Sequence, residues 1–255
     1  MSTINWQTTF AALWRPRTGQ LRAVSQLDPT RLEQLLGIER QKHALCANTE
    51  RFLQRLPANN ALLWGARGTG KSSLIKALIN HYGDQGLRVV QIDRDQLIEL
   101  PEIVDELREQ PYRFIVYTDD LSFEQGDNSY RALKTVLDGS LELPPENVLI
   151  YATSNRRHLL PESMQDNLDS RVTSTELHYA DAVEEKISLS DRFGLWLSFY
   201  AVSQSDYLMM VDALFPDCEY RAALHLEAIR FATGKGARSG RTARQFFNHR
   251  GSHSG

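Results

Sequence analysis

A glycine-rich segment in the first third of the chain has the residue types and spacing of a phosphate-binding loop. The pattern G-x-x-x-x-G-K-[ST] is complete at Gly65, Gly70, Lys71 and Ser72, and in such a loop backbone N–H groups turn inward around phosphate oxygens. The lysine adds positive charge at the β- and γ-phosphates, and the serine hydroxyl ligates Mg²⁺. The segment therefore predicts a nucleotide site that uses Mg²⁺. The residues expected to contact the nucleotide here are Gly65, Ala66, Arg67, Gly68, Thr69, Gly70, Lys71, Ser72 and Ser73.

Two adjacent carboxylates, Asp119 and Asp120, follow the apolar run 114–117. Buried strands seldom end this way for packing alone. Beside a phosphate-binding loop, Asp119 is expected to hold the Mg²⁺, directly or through water, and Asp120 to orient and polarise an attacking water. Glu124 is a weaker alternative for the base, and a further alternative is that the pair only begins the next loop.

Composition sets the scale of the protein and excludes some functions. The chain has 255 residues, of which 42% are hydrophobic and 24% charged, as expected of a globular protein with one medium-sized domain or one domain with an appendage. The net charge of −3 excludes a uniformly basic nucleic-acid binder. The charge is nevertheless uneven, because residues 1–27 carry three basic and no acidic residues and residues 228–255 carry six and none. Any attraction for polyanions is therefore expected at the two ends.

The remaining composition points to an intracellular location. Cys46 and Cys218 are the only cysteines and lie far apart, so neither a disulfide framework nor a metal-spaced cluster is indicated, and a reducing cytoplasm fits best. No apolar run reaches the length of a membrane span. Trp6, Phe10 and Trp14 recur at helical spacing, which favours a helical N-terminal extension that packs on the core.

Short apolar runs alternate with helical patterns along most of the chain. This alternation predicts an α/β fold, a parallel sheet with helices on both faces. The pattern in 27–56 predicts a helix that begins after Asp28 and is interrupted at Gly37. After residue 199 only helices are indicated, and these predict a small C-terminal helical lid. The predicted strands are 60–64, 87–92, 113–117, 148–152 and 195–199, and the lid helices are 205–215, 220–233 and 241–248. The expected divisions are an N-terminal helical extension (1–34), the nucleotide-binding core (35–202), the lid (203–250) and a flexible tail (251–255).

Taken together, these motifs resemble the AAA+ ATPases, from about residue 35 to residue 247. They resemble in particular a bacterial group of predicted AAA+ ATPases defined only as a domain of unknown function, so the likeness implies a P-loop NTPase fold and nucleotide chemistry but no substrate. Gly37 and Ile38 lie in a segment similar to the one that packs on adenine in this family. Asn155 ends a strand in the way of the family's sensor-1 residue, whose amide hydrogen-bonds the attacking water or the γ-phosphate.

Two further resemblances concern arginines. The sequence Ser-Asp-Arg192-Phe resembles the arginine-finger box, in which one subunit's arginine reaches its neighbour's γ-phosphate; Arg171 is the competing finger. The sequence around Arg241 resembles the sensor-2 helix of the lid, and Arg238 is the alternative sensor. Many members of the family carry glutamate where this chain has Asp120, which is one methylene shorter and puts the turnover rate in question.

The resemblance implies an ATP-binding, Mg²⁺-dependent AAA+ ATPase that forms homo-oligomers with shared active sites and acts on an unidentified protein or nucleic-acid partner, with no membrane role. The preference for ATP over GTP comes from the resemblance alone. An alternative is a slow-hydrolysing, nucleotide-gated loader or switch that binds nucleic acid or a protein through the basic C-terminal stretch. A small-molecule kinase is disfavoured, because the chain after Arg192 resembles a nucleotide-sensing lid.

Overall fold

The computed structural model of the chain describes residues 4–123, 129–139, 143–155, 159 and 191–251. Its strands are β1 (Ala11–Arg15), β2 (Gln20–Ala23), β3 (Ala61–Gly65), β4 (Leu87–Gln91), β5 (Arg113–Thr118), β6 (Val148–Ser154) and β7 (Leu195–Phe199). They form one sheet in the order β2-β1-β4-β5-β6-β3-β7. All neighbouring pairs are parallel except β1 with β2. The five strands predicted from the sequence are therefore confirmed.

Helices cover both faces of the sheet. They are α1 (Glu39–Leu53), α2 (Lys71–Tyr82), α3 (Leu100–Arg108) and α4 (Ser129–Asp138), followed by α5 (Gln204–Leu214), α6 (Arg221–Lys235) and α7 (Gly240–Gly251). Leu45 of α1 and Leu74 of α2 pack in a core with Leu63 and Ile115. Residues of α3 and α4 instead pack in a separate core with Val116, on the opposite face of the sheet. Because successive strand residues point to opposite faces, the predicted apolar runs supply both cores at once.

In the described residues of the N-terminal extension, 4–34, two strands stand where a helical extension was predicted and no α-helix is present, so that prediction is wrong. β1 pairs parallel with β4 and antiparallel with β2, which begins after the turn from Pro16 to Gly19. Pairing with β1 satisfies the backbone N–H and C=O groups along the edge of β4. Gly19 has a φ of +58°, a conformation that glycine adopts without strain. The Pro-x-x-Gly turn is the sequence signal for this hairpin, and the four-residue spacing of aromatic residues obscured it.

The helix predicted over 27–56 is also shorter than expected. A 3₁₀ turn at Leu32–Gln34 precedes α1, which begins only at Glu39. Asp28 does not cap an α-helix; its carboxylate accepts hydrogen bonds from the backbone N–H and the hydroxyl of Thr30 and pairs with Lys76 at 2.8 Å. These bonds to Lys76 and Thr30 lower the pKa of Asp28 to about 2. The segment is thus held to α2 by local polar contacts instead of continuing α1.

A buried arginine joins the N-terminal segment to the sheet. Arg88 is 3% exposed, and its guanidinium donates to the carbonyl oxygens of Trp6, Gly83 and Leu87, each at 2.7 Å. The ring centroid of Tyr112 lies 4.2 Å from its Cζ atom. Burial lowers the pKa of Arg88 below its ordinary value. Since buried charges are costly unless they are hydrogen-bonded, this arginine depends on its three carbonyl partners.

We expect Arg88→Met to lower the free energy of unfolding by about 2–4 kcal/mol, because buried carbonyls left without donors cost about 1–3 kcal/mol each. Urea unfolding followed by circular dichroism measures the change. The matched control is Arg22→Met on β2, where the side chain is exposed. Equal unfolding midpoints for the two variants would show that Arg88 contributes no more than a surface arginine.

The three C-terminal helices form the lid with a small core of their own. Tyr207, Leu224, Ala232 and Phe246 are buried in it, and the Tyr207 hydroxyl donates to the carbonyl of Ala228 at 3.1 Å. The helical lid predicted from the sequence is therefore confirmed. None of the helices in the described part of the chain is both long and apolar enough to cross a membrane.

Candidate functional site

The phosphate-binding loop joins β3 to α2 at the carboxyl end of the sheet. Gly65 has a φ of +131°, and a Cβ there would lie 2.0 Å from the carbonyl oxygen of Phe199 on β7. The next backbone N–H, that of Ala66, donates to the same oxygen at 3.0 Å. Only glycine therefore fits where the loop leaves β3. The sequence pattern required a glycine here, and the close approach of β7 is the physical reason.

Lys71 lies inside the loop. The residue is only 6% exposed. Its Nζ donates to the carbonyl oxygens of Gly65 and Ala66 at 2.8 Å and to Oδ1 of Asn155 at 3.2 Å. Burial lowers the pKa of Lys71, while the carboxylates of Asp120 and Asp119 act in the opposite direction. Among the residues that the structure describes, no side chain caps the amino end of α2. The first turn of that helix therefore presents N–H groups beside an ammonium, which suits a phosphate.

A candidate Mg²⁺ site lies next to the loop. The Ser72 hydroxyl donates to Oδ1 of Asp119 at 2.8 Å, and Thr153 donates to the same oxygen. Although burial raises the pKa of Asp119, these hydrogen bonds hold it below its ordinary value. Adjacent ligands of an octahedral Mg²⁺ at about 2.1 Å lie roughly 3 Å apart. The spacing of the Ser72 and Asp119 oxygens fits such an ion, and these two residues would hold it.

Asp120 and Asn155 complete a continuous polar network. Asp120 has a φ of +56°, and its backbone N–H donates to the Thr153 hydroxyl at 3.0 Å. The Asn155 amide donates to the Asp120 carboxylate while its oxygen accepts from Lys71. Asn155 therefore lies between the phosphate-binding loop and the acidic strand end. A positive φ in an aspartate is a local strain, and such strain is frequent at functional sites.

Thr153 is a site residue that the sequence analysis missed. It lies on β6, two residues before Asn155, and contacts both Asp119 and Asp120. Residues two apart on a strand point to the same face. That spacing is the signal that would have identified Thr153 once Asn155 was singled out.

The proposed adenine segment lies between the loop and the lid. A Cβ on Gly70 would lie 3.4 Å from Cδ1 of Ile38, and one on Gly37 would lie 3.4 Å from Cβ of Asp206 on α5. Gly37 itself has a φ of +75°. The turn before α1 thus contacts the phosphate-binding loop on one side and the first lid helix on the other. That Gly37 and Ile38 contact a base remains a prediction.

The amino end of α7 rests on the phosphate-binding loop. A Cβ on Gly68 would lie 2.9 Å from Cβ of Ser239, which is 4% exposed. The Ser239 hydroxyl accepts from the backbone N–H of Thr242 at 3.1 Å and so caps the helix. Arg238 and Arg241 flank Ser239 and are both exposed. Either arginine is near enough in the chain to serve as the lid sensor, so this choice stays open.

Arg192 lies at the amino edge of the sheet, where the parallel strands begin, and the phosphate-binding loop lies at the opposite, carboxyl edge. It precedes the amino end of β7, which runs parallel to β3, so the length of a five-residue strand, about 17 Å, separates that edge from the loop. Its guanidinium forms an ion pair with Asp138 at the end of α4. Arg192 is therefore outside the phosphate site of its own chain. The alternative finger Arg171 and the alternative base Glu124 lie outside the described residues.

Two cavities are found away from these residues. They measure about 460 and 430 Å³ and share Arg55, Arg113 and the segment 144–146 at the amino edge of the sheet. The phosphate-binding loop is instead closed around its own lysine. Within the described residues no group of three or more His, Cys, Asp or Glu side chains could hold a metal ion.

A mostly parallel sheet with helices on both faces, a phosphate-binding loop after β3 and a helical lid define a P-loop NTPase fold of the AAA+ class. A family model described as "Protein of unknown function (DUF815)" matches residues 7–253, so the chain belongs to that family. No curated protein matches it.

Solved structures support the same fold. A single-residue variant of Thermotoga maritima RuvB is 14% identical, with a TM-score of 0.52, over 86% of this chain and 72% of that one. Aeropyrum pernix Orc1, solved in complex with DNA, is 14% identical with a TM-score of 0.56, over 82% of this chain and 58% of that one. At this identity the likeness concerns the fold alone.

Proposed function

We propose that the protein is an ATP-binding, Mg²⁺-dependent ATPase that couples hydrolysis to movement of its lid and thereby to a partner. The observation that carries this proposal is the position of Asn155, which hydrogen-bonds both Lys71 and Asp120. One polar network thus joins the residues suited to binding a γ-phosphate to the carboxylate suited to activating water. A phosphate loop used only for binding has no need of that link.

Each residue has a distinct task in the proposed reaction. Lys71 exchanges the Gly65 and Ala66 carbonyls for phosphate oxygens. Ser72 and Asp119 would hold Mg²⁺, which would neutralise the charge that develops on the phosphates. Asp120 accepts a hydrogen bond from the attacking water and orients it toward the γ-phosphorus. The Asn155 amide, freed from Asp120, donates to that water or to the γ-phosphate.

The contacts between loop and lid support the proposed coupling. A Cβ on Gly68 would meet Ser239 at the start of α7, and one on Gly37 would meet Asp206 on α5. Two lid helices thus abut segments that a bound nucleotide would contact. Arg238 or Arg241 would bond the γ-phosphate, so hydrolysis would remove a contact that holds the lid and release it.

The position of Arg192 supports shared active sites. An arginine at the amino edge of the sheet is too far from the phosphate-binding loop of its own chain to contact a γ-phosphate bound there. When subunits pack head to tail, the loop of an adjacent copy faces that edge. The proposed assembly is therefore a heterologous homo-oligomer in which Arg192 of one subunit reaches the γ-phosphate of the next.

The first test is the ATP hydrolysis rate per subunit, measured with Mg²⁺ over a wide range of protein concentration and with Lys71→Ala as the blank. We expect the rate per subunit to rise with concentration, because active sites form only between subunits. A measurable rate that stays constant down to concentrations at which the protein is monomeric would refute shared sites. Absence of ATP binding in equilibrium dialysis would refute the nucleotide function itself.

A second candidate, a nucleotide-gated loader or switch with slow turnover, is favoured by one observation. In this structure the shorter Asp120 already accepts a hydrogen bond from Asn155 at one carboxylate oxygen, which reduces its capacity to accept from an attacking water. ATP binding with a rate near zero at every concentration would favour this candidate over the motor, and addition of the missing partner would then raise the rate.

A further inference from the structure

Three cations of the lid lie over three of its phenylalanine rings. Lys235 Nζ is 5.6 Å from the ring centroid of Phe231, Arg244 Cζ is 5.8 Å from that of Phe247, and Arg250 Cζ is 5.8 Å from that of Phe215. We call these six residues the lid basic face. Lys235 and Arg244 are exposed, and all three rings are half-buried.

The rings of the lid basic face belong to one cluster. Phe215 and Phe247 have centroids 5.0 Å apart, and Phe215 and Phe231 each approach Phe246, at 5.7 and 5.6 Å. Each half-buried ring keeps part of its surface accessible beside a cation. A positively charged surface with partly accessible aromatic rings suits single-stranded nucleic acid, which it can hold through phosphate contacts and base stacking.

The charge of this face differs from that of the remaining chain. Residues 228–255 contain six basic and no acidic residues, so residues 1–227 contain 23 basic and 32 acidic ones. A carboxylate that reaches the face is that of Glu227, 3.4 Å from Arg250. A polyanion is therefore attracted to this stretch and to the smaller basic stretch 1–27, and is repelled by the residues between them, 28–227, which carry 20 basic and 32 acidic residues. An acidic protein would satisfy the charge, whereas the accessible parts of the half-buried rings also suit the stacking of bases.

The same helix connects this face to the nucleotide. Ser239, which caps α7, contacts Gly68 in the phosphate-binding loop, and Arg244 and Phe247 lie one and two turns further along. A phosphate bound in the loop therefore acts on the end of the helix that carries the face. Movement of α7 as a rigid body changes how the face is presented.

We propose that the lid basic face binds single-stranded nucleic acid and that bound ATP changes its affinity. The gating part rests on the proposed nucleotide function; the binding part does not. Phosphates contact Lys235, Arg244 and Arg250, and bases stack on the exposed parts of Phe231 and Phe247. This assigns a class of partner that the fold and the family leave open.

The test measures binding of fluorescein-labelled oligo(dT) and oligo(U), each long enough to span the face at about 20 nucleotides, by fluorescence anisotropy at several NaCl concentrations, with and without ATP and Mg²⁺. The variant carries Lys235→Gln, Arg244→Gln and Arg250→Gln. The control carries Arg15→Gln, Arg17→Gln and Arg22→Gln, at three exposed arginines of the β1–β2 hairpin. This variant removes the same charge from a surface that does not include the lid basic face. Because Arg250 packs against the lid core, a double variant of Lys235→Gln and Arg244→Gln, both exposed, accompanies the triple one.

We expect the triple lid variant to bind at least about tenfold more weakly and its salt dependence to fall by about two units in the log–log slope, since each phosphate contact on a single strand contributes about 0.7. The double variant should lose about two thirds of that decrease in slope, because it removes two of the three phosphate contacts, and the hairpin control should lose little. Equal losses in lid and hairpin variants would show unspecific charge attraction and overturn the proposal, as would absence of oligonucleotide binding by the unmodified protein. Preferential binding of an acidic peptide such as polyglutamate would also overturn it, in favour of a protein partner.

The ATPase rate measured in the same samples separates the two proposals. If the lid variant loses oligonucleotide binding but keeps the basal rate of ATP hydrolysis, the result supports nucleic-acid binding by the lid basic face and does not affect the proposed ATPase activity. Oligonucleotide binding by a protein that fails to bind ATP would retain the face and refute the proposed nucleotide function. Equal affinities with and without ATP, in a protein shown to bind ATP, would overturn the gating.

Discussion

Arg192→Ala is expected to reduce ATP turnover at least about 1000-fold while changing the affinity for ATP little. An arginine supplied by a neighbouring subunit stabilises charge that develops only in the transition state, and its loss costs about 10³–10⁵ in turnover. Steady-state hydrolysis measures the first quantity, and equilibrium binding of a fluorescent ATP analogue measures the second. A variant that hydrolyses ATP at the unmodified rate would eliminate Arg192 as the finger and direct attention to Arg171.

The ion pair of Arg192 with Asp138 provides the matched control. Asp138→Ala breaks the same pair but keeps the guanidinium. If Arg192 serves only to hold α4, both variants lose activity and stability together. If Arg192 acts on the neighbouring site, Asp138→Ala retains turnover, because the guanidinium is still present and is freed from a competing partner.

Mixing variants tests the shared site directly. A Lys71→Ala subunit has an intact finger and a defective phosphate-binding loop, whereas an Arg192→Ala subunit has the reverse. Equimolar mixing should restore part of the turnover, because some interfaces then join an intact loop to an intact finger. Two inactive variants that remain inactive when mixed, although they co-assemble, would contradict action between subunits.

Lys71→Ala is expected to weaken ATP binding about 100-fold. A charge-assisted hydrogen bond contributes about 1.5–3 kcal/mol, and loss of two such bonds to phosphate, partly replaced by water, corresponds to about this change in affinity. The backbone of the loop is expected to persist, because Gly65 and Ala66 are positioned by β7 as well as by Lys71. Isothermal titration with ATP and Mg²⁺ measures the effect.

Lys76→Ala is the control for this variant. Lys76 lies on the same helix, five residues further along, but is exposed and pairs with Asp28 at the surface. Removing it takes away the same charge and a surface ion pair, which contributes little to stability. An ATP affinity that falls equally in both variants would indicate general electrostatic attraction and would remove the assigned role of Lys71.

The parallel core was predictable because its signals are local. An apolar run such as 113–117 is long enough for a strand, is buried on both faces, and is followed by turn residues and a helical pattern. The phosphate-binding loop was equally visible, since its glycines and lysine occur within eight residues. The N-terminal hairpin was missed because its stability comes from pairing of β1 with β4, which is distant in sequence, while the aromatic spacing favoured a helix.

The sequence by itself determined which residues form the loop, the acidic strand end and the lid, because each depends on residue types at short spacing. Only the tertiary structure decided which of these meet. The parallel register of β5 with β6 places Thr153 and Asn155 against Asp119 and Asp120, and β7 lies beside β3 so that only glycine fits at position 65. Arg192 was separated from its own loop by the direction of β7. Such contacts join residues far apart in sequence, and the packing of strands and helices fixes them where no local pattern does.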